Sequence, residues 1–199
     1  KGADISPEEL KLAKARLPKG SVDLFESKAQ NLTAIDDNSI DVVLCHWALT
    51  LMNPITPVLN EIRRVLSSGG KFAALVNGPM DAAPGYNDVY KLIYKYVQAK
   101  LPRYGEIDLG DPRIRSTKSL EHLVGEAFPS ADVSIENNVV SLVGPVAEVS
   151  ETAAGFFYAS FILSPELRKT MLSDLSKLLL VSKQEGRFVM PISRLIVKK

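Results

Sequence analysis

The strongest constraint on the fold is the run Asp41-Val42-Val43-Leu44-Cys45, whose apolar residues do not alternate with polar ones. A strand with one wet face alternates, so an unbroken run predicts a strand covered on both faces, as in a parallel sheet. Parallel neighbours need a crossover, usually a helix. Residues 54–66 supply one, with Val58, Leu59, Ile62, Val65 and Leu66 on one face at helical spacing. Ser67-Ser68-Gly69-Gly70 follows, offering a glycine for a left-handed C-terminal turn. Residues 72–76 then read as a second buried strand.

The same alternation runs upstream. Gly2-Ala3-Asp4-Ile5 reads as the tail of a strand. Ser6-Pro7-Glu8-Glu9 is a helix start, with Ser6 as cap, Pro7 in the first turn and Glu9 three residues after Ser6. Leu10, Ala13 and Leu17 share a face, and Pro18-Lys19-Gly20 ends that helix. Residues 22–25 form a short strand, and Asp36-Asp37-Asn38-Ser39 a turn. The order β-α-β-α-β implies right-handed crossovers. Downstream, residues 79–85 read as a loop, 86–101 as a helix, 101–112 as a polar Gly/Pro-rich stretch and 116–128 as a helix. Residues 133–143 read as a bent strand or a hairpin. Residues 146–161 and 165–184 look helical, and 188–198 make a last strand with Pro191 inside it.

Composition narrows the class. Apolar residues make up 46% of 199, charged residues 24%, and 24 Lys and Arg against 23 Asp and Glu give a net charge of +1. This mix suits a globular domain and gives no electrostatic case for nucleic acid or an acidic membrane surface. One cysteine cannot make an intramolecular disulfide, which points to a reducing, cytoplasmic setting. The chain starts at Lys1 in mid-strand, so it reads as a cut or processed piece of one domain, residues 1–199.

Three strings carry a family resemblance. They are Gly2-Ala3-Asp4-Ile5-Ser6-Pro7-Glu8-Glu9-Leu10, Asn38-Ser39-Ile40-Asp41-Val42-Val43, and Leu59-Asn60-Glu61-Ile62-Arg63-Arg64-Val65-Leu66-Ser67-Ser68-Gly69-Gly70-Lys71. In this order they resemble the second strand and helix, the fourth strand, and the helix and turn before the fifth strand of class I S-adenosylmethionine-dependent methyltransferases. The resemblance covers residues 1–80 well and the rest by element order. It implies an α/β, Rossmann-like methyltransferase sheet, mostly parallel with an antiparallel late strand. The N-terminal strand and helix, with their glycine-rich turn, would be missing, and residues 79–130 would be a substrate-covering insertion.

The resemblance also implies a cofactor site for S-adenosyl-L-methionine. Asp4 would take both ribose hydroxyls, since a carboxylate can accept two adjacent donors; its other reading is a helix cap. Ile5 would pack on adenine. At the adenine edge the sequence departs from the family. Where an Asp-Ala pair is common, Lys28-Ala29 stands here, and a lysine has donors but no acceptor. The Ala29 N–H could still donate to a ring nitrogen. Either adenine is read differently or cofactor binding is weak or lost. Cys45, His46 and Trp47 would border the methionine end and the acceptor. Histidine as a residue type can exchange a proton at neutral pH, so His46 could serve as the catalytic general base, or simply line the pocket. Cys45 reads as a small filler. Trp47 would cover the pocket or pack in the core.

Tyr86, Tyr90 and Tyr94 recur every fourth residue on one helix face, either as packing or as an aromatic lid that binds substrate. Phe156-Phe157-Tyr158 with Phe161 reads as core or as a homodimer contact. The resulting expectation is a methyltransferase acting on a small-molecule acceptor, with no nucleic-acid or membrane partner. The alternative is a non-catalytic methyltransferase-like binding or assembly domain. A nicotinamide-dependent oxidoreductase fits less well, because no Gly-x-Gly-x-x-Gly occurs.

Overall fold

The computed structural model describes residues 1–104 and 110–199, so residues 105–109 of the expected polar stretch lie outside the described residues. The chain divides into two compact units. The first comprises Lys1–Val76, Gly110–Ile135 and Arg194–Lys199; the second comprises Asn77–Leu109 and Glu136–Ser193.

The first unit begins with β1 (Gly2–Asp4), α1 (Pro7–Arg16) and β2 (Leu24–Glu26). The Ser6 hydroxyl accepts the Glu9 N–H at 3.2 Å, so α1 starts where its capping residues indicate. β1 and β2 pair in parallel as a two-stranded sheet. Next come β3 (Ile40–His46), α2 (Ile55–Val65) and β4 (Leu66–Asn77). β3 and β4 are parallel, as the crossover requires. Later chain adds α4 (Thr117–Ala127) and parts of β5 (Asp132–Pro145) and β7 (Glu185–Lys198), in sheet order β3-β4-β7-β5. Lys199 donates its N–H to Gly70 O at 3.0 Å, and Gly78 donates to Pro191 O at 3.1 Å. The start of β4 therefore meets the end of β7, which makes β7 the antiparallel late strand.

The core of this unit sits under α2. Ile55, Val58, Leu59, Ile62 and Val65 are all buried, and α4 adds Leu120, Leu123, Val124 and Ala127. Phe72, Ala74 and Val76 of β4 and Leu195 and Val197 of β7 meet them. Each such side chain contributes about 1.5–3 kcal/mol of gross burial. Pro54 gives α2 no side-chain cap. The buried Asp111 takes that role from a distance, because its carboxylate accepts the Ile55 N–H. Gly110 makes this approach possible. Its φ is +84°, and a Cβ there would lie 2.3 Å from Thr50 O.

Two expectations about this unit need correction. β3 is not covered on both faces: Val43 and Cys45 pack on the core, but Val42 is 54% and Leu44 77% exposed. Among the described residues β3 is an edge strand, paired only with β4, and β1 pairs only with β2. Nor does glycine end α2. The helix stops at Leu66 in an extended conformation, and β4 starts there. Gly69-Gly70 instead form a bulge in β4, between the Ile40–Leu66 and Val42–Lys71 pairs. Gly69 has φ +75°, and a Cβ on Gly70 would lie 3.2 Å from both Asp41 O and Ile40 O.

The second unit holds α3 (Tyr86–Gln98), α5 (Val146–Gly155), α6 (Pro165–Leu179), β6 (Leu180–Ser182) and the remainder of β5 and β7. The Tyr96 hydroxyl donates to Asp174 at 2.5 Å, and Ser176 to Ser150 at 2.9 Å, tying α6 to α3 and α5. The helix expected over 165–184 ends at Leu179, because Leu180–Ser182 pairs antiparallel with β7. The helix expected over 146–161 ends at Gly155, and Tyr158–Ile162 is a separate 3-10 turn. β5 is a single long strand, and β7 runs unbroken through Pro191.

Candidate functional site

The first unit places the candidate nucleotide residues at the end of β1. The Asp4 carboxylate accepts the Ser6 N–H through Oδ1 at 2.8 Å. Asp4 thus steadies the capping residue of α1, while Ser6 itself makes the cap. Its second oxygen lies on an exposed residue, so the carboxylate can still accept two adjacent hydroxyls. Ile5 follows at 63% exposure, an apolar plate next to that carboxylate. These residues fit the ribose and adenine of S-adenosylmethionine.

The segment after β2 starts beside Asp4, since Ser27 donates its N–H to Asp4 O at 2.9 Å. Lys28 is exposed, and Ala29 is half-buried against the core. The segment turns back on itself through Ser27 Oγ to Asn31 O at 2.7 Å and Asn31 N–H to Lys28 O at 2.9 Å.

At the end of β3, strand alternation separates two candidates. Cys45 packs toward the core, and burial pushes its thiol above the ordinary range, so it stays neutral and suits a filler rather than a nucleophile. His46 points to the opposite, exposed face with Leu44. Its ring meets Trp47 edge-on at 4.9 Å. Trp47 has φ +60°, a conformation costly for a bulky residue, and it is fixed by its N–H to Leu75 O at 3.0 Å. Thr50 Oγ1 donates to Trp47 O at 2.7 Å. Strain of this kind concentrates at functional sites. Nothing in the residue pattern announces it.

The remaining two candidates lie in the second unit. Tyr86 is only 6% exposed; its ring stacks on Phe157 at 5.9 Å and lies 6.1 Å from Phe188. Burial pushes its hydroxyl up to about 12. Tyr86 is therefore core at its own position. Tyr90 is half-buried, stacked on Tyr94 at 4.1 Å, and Tyr94 lies 5.9 Å from Tyr104. Of the second aromatic cluster Phe157 is buried, while Tyr158 and Phe161 are exposed.

Sequence reasoning took Glu61 and Arg64 only as parts of a signature. In the structure they bind the segment after β2. Glu61 Oε2 accepts the Leu32 N–H at 2.7 Å, and Arg64 grips both oxygens of Glu61 at 2.9 Å. Arg64 also donates to Ile35 O and Leu32 O, each at 2.9 Å, and to Asp37 at 2.5 Å. Hydrogen bonds from Arg64 hold the Glu61 carboxyl below the usual range, and Glu61 and then Asp37 raise the guanidinium above its own. A charged pair at i, i+3 beside the apolar face of the helix was the available signal.

Among the described residues no group of His, Cys, Asp and Glu is arranged to hold a metal, and no helix is long and apolar enough to cross a membrane.

Comparison with known proteins concerns the domain and the fold. Residues 1–74 match the model of a methyltransferase domain. The chain is 34% identical over 137 residues to the mitochondrial 2-methoxy-6-polyprenyl-1,4-benzoquinol methylase of Schizosaccharomyces pombe, covering 65% of this chain and 42% of that protein. It is 28% identical over 110 residues to the demethylmenaquinone methyltransferase of Bacillus velezensis, covering 54% and 45%. The chain thus spans less than half the length of these relatives. A solved candidate methyltransferase from Bacillus halodurans shares the fold over all of this chain and 83% of its own, with a TM-score of 0.59 at 17% identity. Residues 1–74 are thus similar to a methyltransferase domain, and the chain shares the α/β fold of a solved methyltransferase-like protein.

Proposed function

We propose that the protein transfers a methyl group from S-adenosylmethionine to a small-molecule acceptor with a planar ring of the quinol kind. The observation that carries this reading is the Asp4–Ile5 pair at the end of β1, a fixed carboxylate beside an exposed apolar side chain. The relatives named for benzoquinol and menaquinone methylation support the acceptor class.

The bound cofactor supplies a methyl group on a sulfonium, already activated for displacement. The protein's own tasks are then binding, orientation and proton removal. Asp4 accepts the ribose hydroxyls, Ile5 covers the adenine, and the Ala29 N–H is the donor for a ring nitrogen, with Lys28 beside it. His46 takes the acceptor's proton at an imidazole nitrogen, and Trp47 walls the place where the acceptor lies. Cys45 fills space beneath. Tyr90, stacked on Tyr94 within the second unit, keeps a candidate role in binding an aromatic substrate, while Tyr86 is core. The single cysteine supports a reducing compartment.

The exposed Lys28 favours a second reading, a methyltransferase-like domain that binds or assembles without catalysis. Calorimetry with S-adenosylmethionine and S-adenosylhomocysteine, on residues 1–199 and on the full gene product, separates the two. Binding by either, followed by methyl transfer to a quinol, supports the enzyme. No binding by either refutes it.

A further inference from the structure

We propose that Glu61 and Arg64 are positioning residues for the nucleotide end of the cofactor, bracing the 27–39 segment against α2. This rests on the functional reading above.

The brace reaches the segment at its middle. Leu32 is held at both its polar backbone atoms, by Glu61 at the N–H and by Arg64 at the carbonyl. Ile35 is held at its carbonyl. The apolar side chains of the same two residues are buried with Val65, one helical step from Arg64. Further along, Asn38 and Ser39 donate their N–H groups to Arg64 O and Val65 O at 2.9 Å. At its other end the segment is bonded to Asp4 through Ser27. Lys28 and Ala29 therefore lie between two fixed points, the ribose candidate and the brace.

The chemistry suits a positioning role. A loop that must present one backbone N–H to a ligand needs its own polar groups satisfied in a single arrangement. Glu61 and Arg64 do this with a two-pronged pair, a geometry that lysine cannot reproduce. Both side chains are largely withdrawn from solvent, at 19% and 28% exposure, so solvent screens the pair less than an open surface bridge.

The test uses Glu61→Gln and Arg64→Lys, with the exposed Arg63→Gln as control, in the full-length natural protein. S-adenosylhomocysteine affinity is measured by calorimetry, exchange of the Leu32 amide by mass spectrometry or NMR, and folding by thermal midpoint. The expected result is an affinity loss of about tenfold in each brace variant, with faster Leu32 exchange. KM for S-adenosylmethionine rises while kcat is retained, and Arg63→Gln changes nothing. Wild-type affinity in variants with faster Leu32 exchange overturns the brace and leaves the functional reading intact. Absence of binding in the wild type overturns both. Should Glu61→Gln fail to fold, Arg64→Lys, which keeps the charge, decides by the same readouts.

Discussion

Replacing Asp111 with Asn should destabilise the first unit by removing a charge from the start of α2. The carboxylate accepts the Arg113 N–H at 3.0 Å, Arg113 Nε at 2.9 Å and Nη2 at 2.7 Å, and also the Ile55 N–H. The Arg113 side chain is half exposed, so its ion pair counts for little. The cost lies with α2. A lost cap is worth about 1 kcal/mol, and the anion at the helix N-terminus up to about 1 more. An amide also turns a donor toward groups that are themselves donors. The expected loss is about 2 kcal/mol, or roughly 4–8 °C for a domain of this size. Arg113 first, and the backbone N–H groups after it, hold the Asp111 carboxyl below the usual range. Its contribution is therefore fully present above the ordinary carboxylate range and declines as pH falls through the lower folded-state value. Urea unfolding followed by the single tryptophan, Trp47, reads this unit directly. The gap between wild type and Asp111→Asn should be complete at pH 7 and narrow below about pH 4, with the m-value unchanged. An equal midpoint at pH 7, or a gap that does not shrink in acid, would refute the long-range cap.

Gly110→Ala should cost at least about 2 kcal/mol, since it adds a clash to a positive φ; a wild-type melting temperature would contradict the close approach. Leu44→Ser should leave the stability of residues 1–199 within about 0.5 kcal/mol, because the side chain is already in water. A loss of several times that in a denaturant titration would mean the face is covered. Asp4→Asn should weaken S-adenosylhomocysteine binding about tenfold, by loss of a charge-assisted bond, and unchanged calorimetry would remove the ribose assignment. Tyr90→Ala and Tyr94→Ala should each raise the KM for a quinol acceptor in the full-length protein; unchanged values would confine the tyrosine stripe to packing.

Local signals were legible where one element satisfied them alone. The Ser6 cap, the apolar face of α2 and the parallel β3–β4 pair all follow from spacing within a few residues. Reading failed where a partner lay far along the chain. Residues 165–184 read as one helix, but pairing with β7 draws Leu180–Ser182 into β6. Gly69-Gly70 looked like a helix stop because the close approach of β3 cannot be read from the glycines themselves. Asp111 lies in the stretch that reads only as polar and Gly/Pro-rich, with its helix more than fifty positions upstream. At the candidate site, residue types marked Asp4, His46 and Trp47, while the strained backbone at Trp47 and the brace from α2 required coordinates.

The final strand carries a consequence for the order of folding. Leu195 and Val197 are fully buried in the first unit, and the Lys199 ammonium donates to Asn38 Oδ1, Arg63 O and Leu66 O at 2.6–2.9 Å. A ribosome makes residues 194–199 after residues 1–193. The second unit, which ends at Ser193, is wholly synthesised before the first, which contains residue 1, receives its closing strand. Contacts spanning more than 130 positions are slow to form. The earlier residues of the first unit wait, with the start of β4 unpaired on that side, until residues 194–199 have been made.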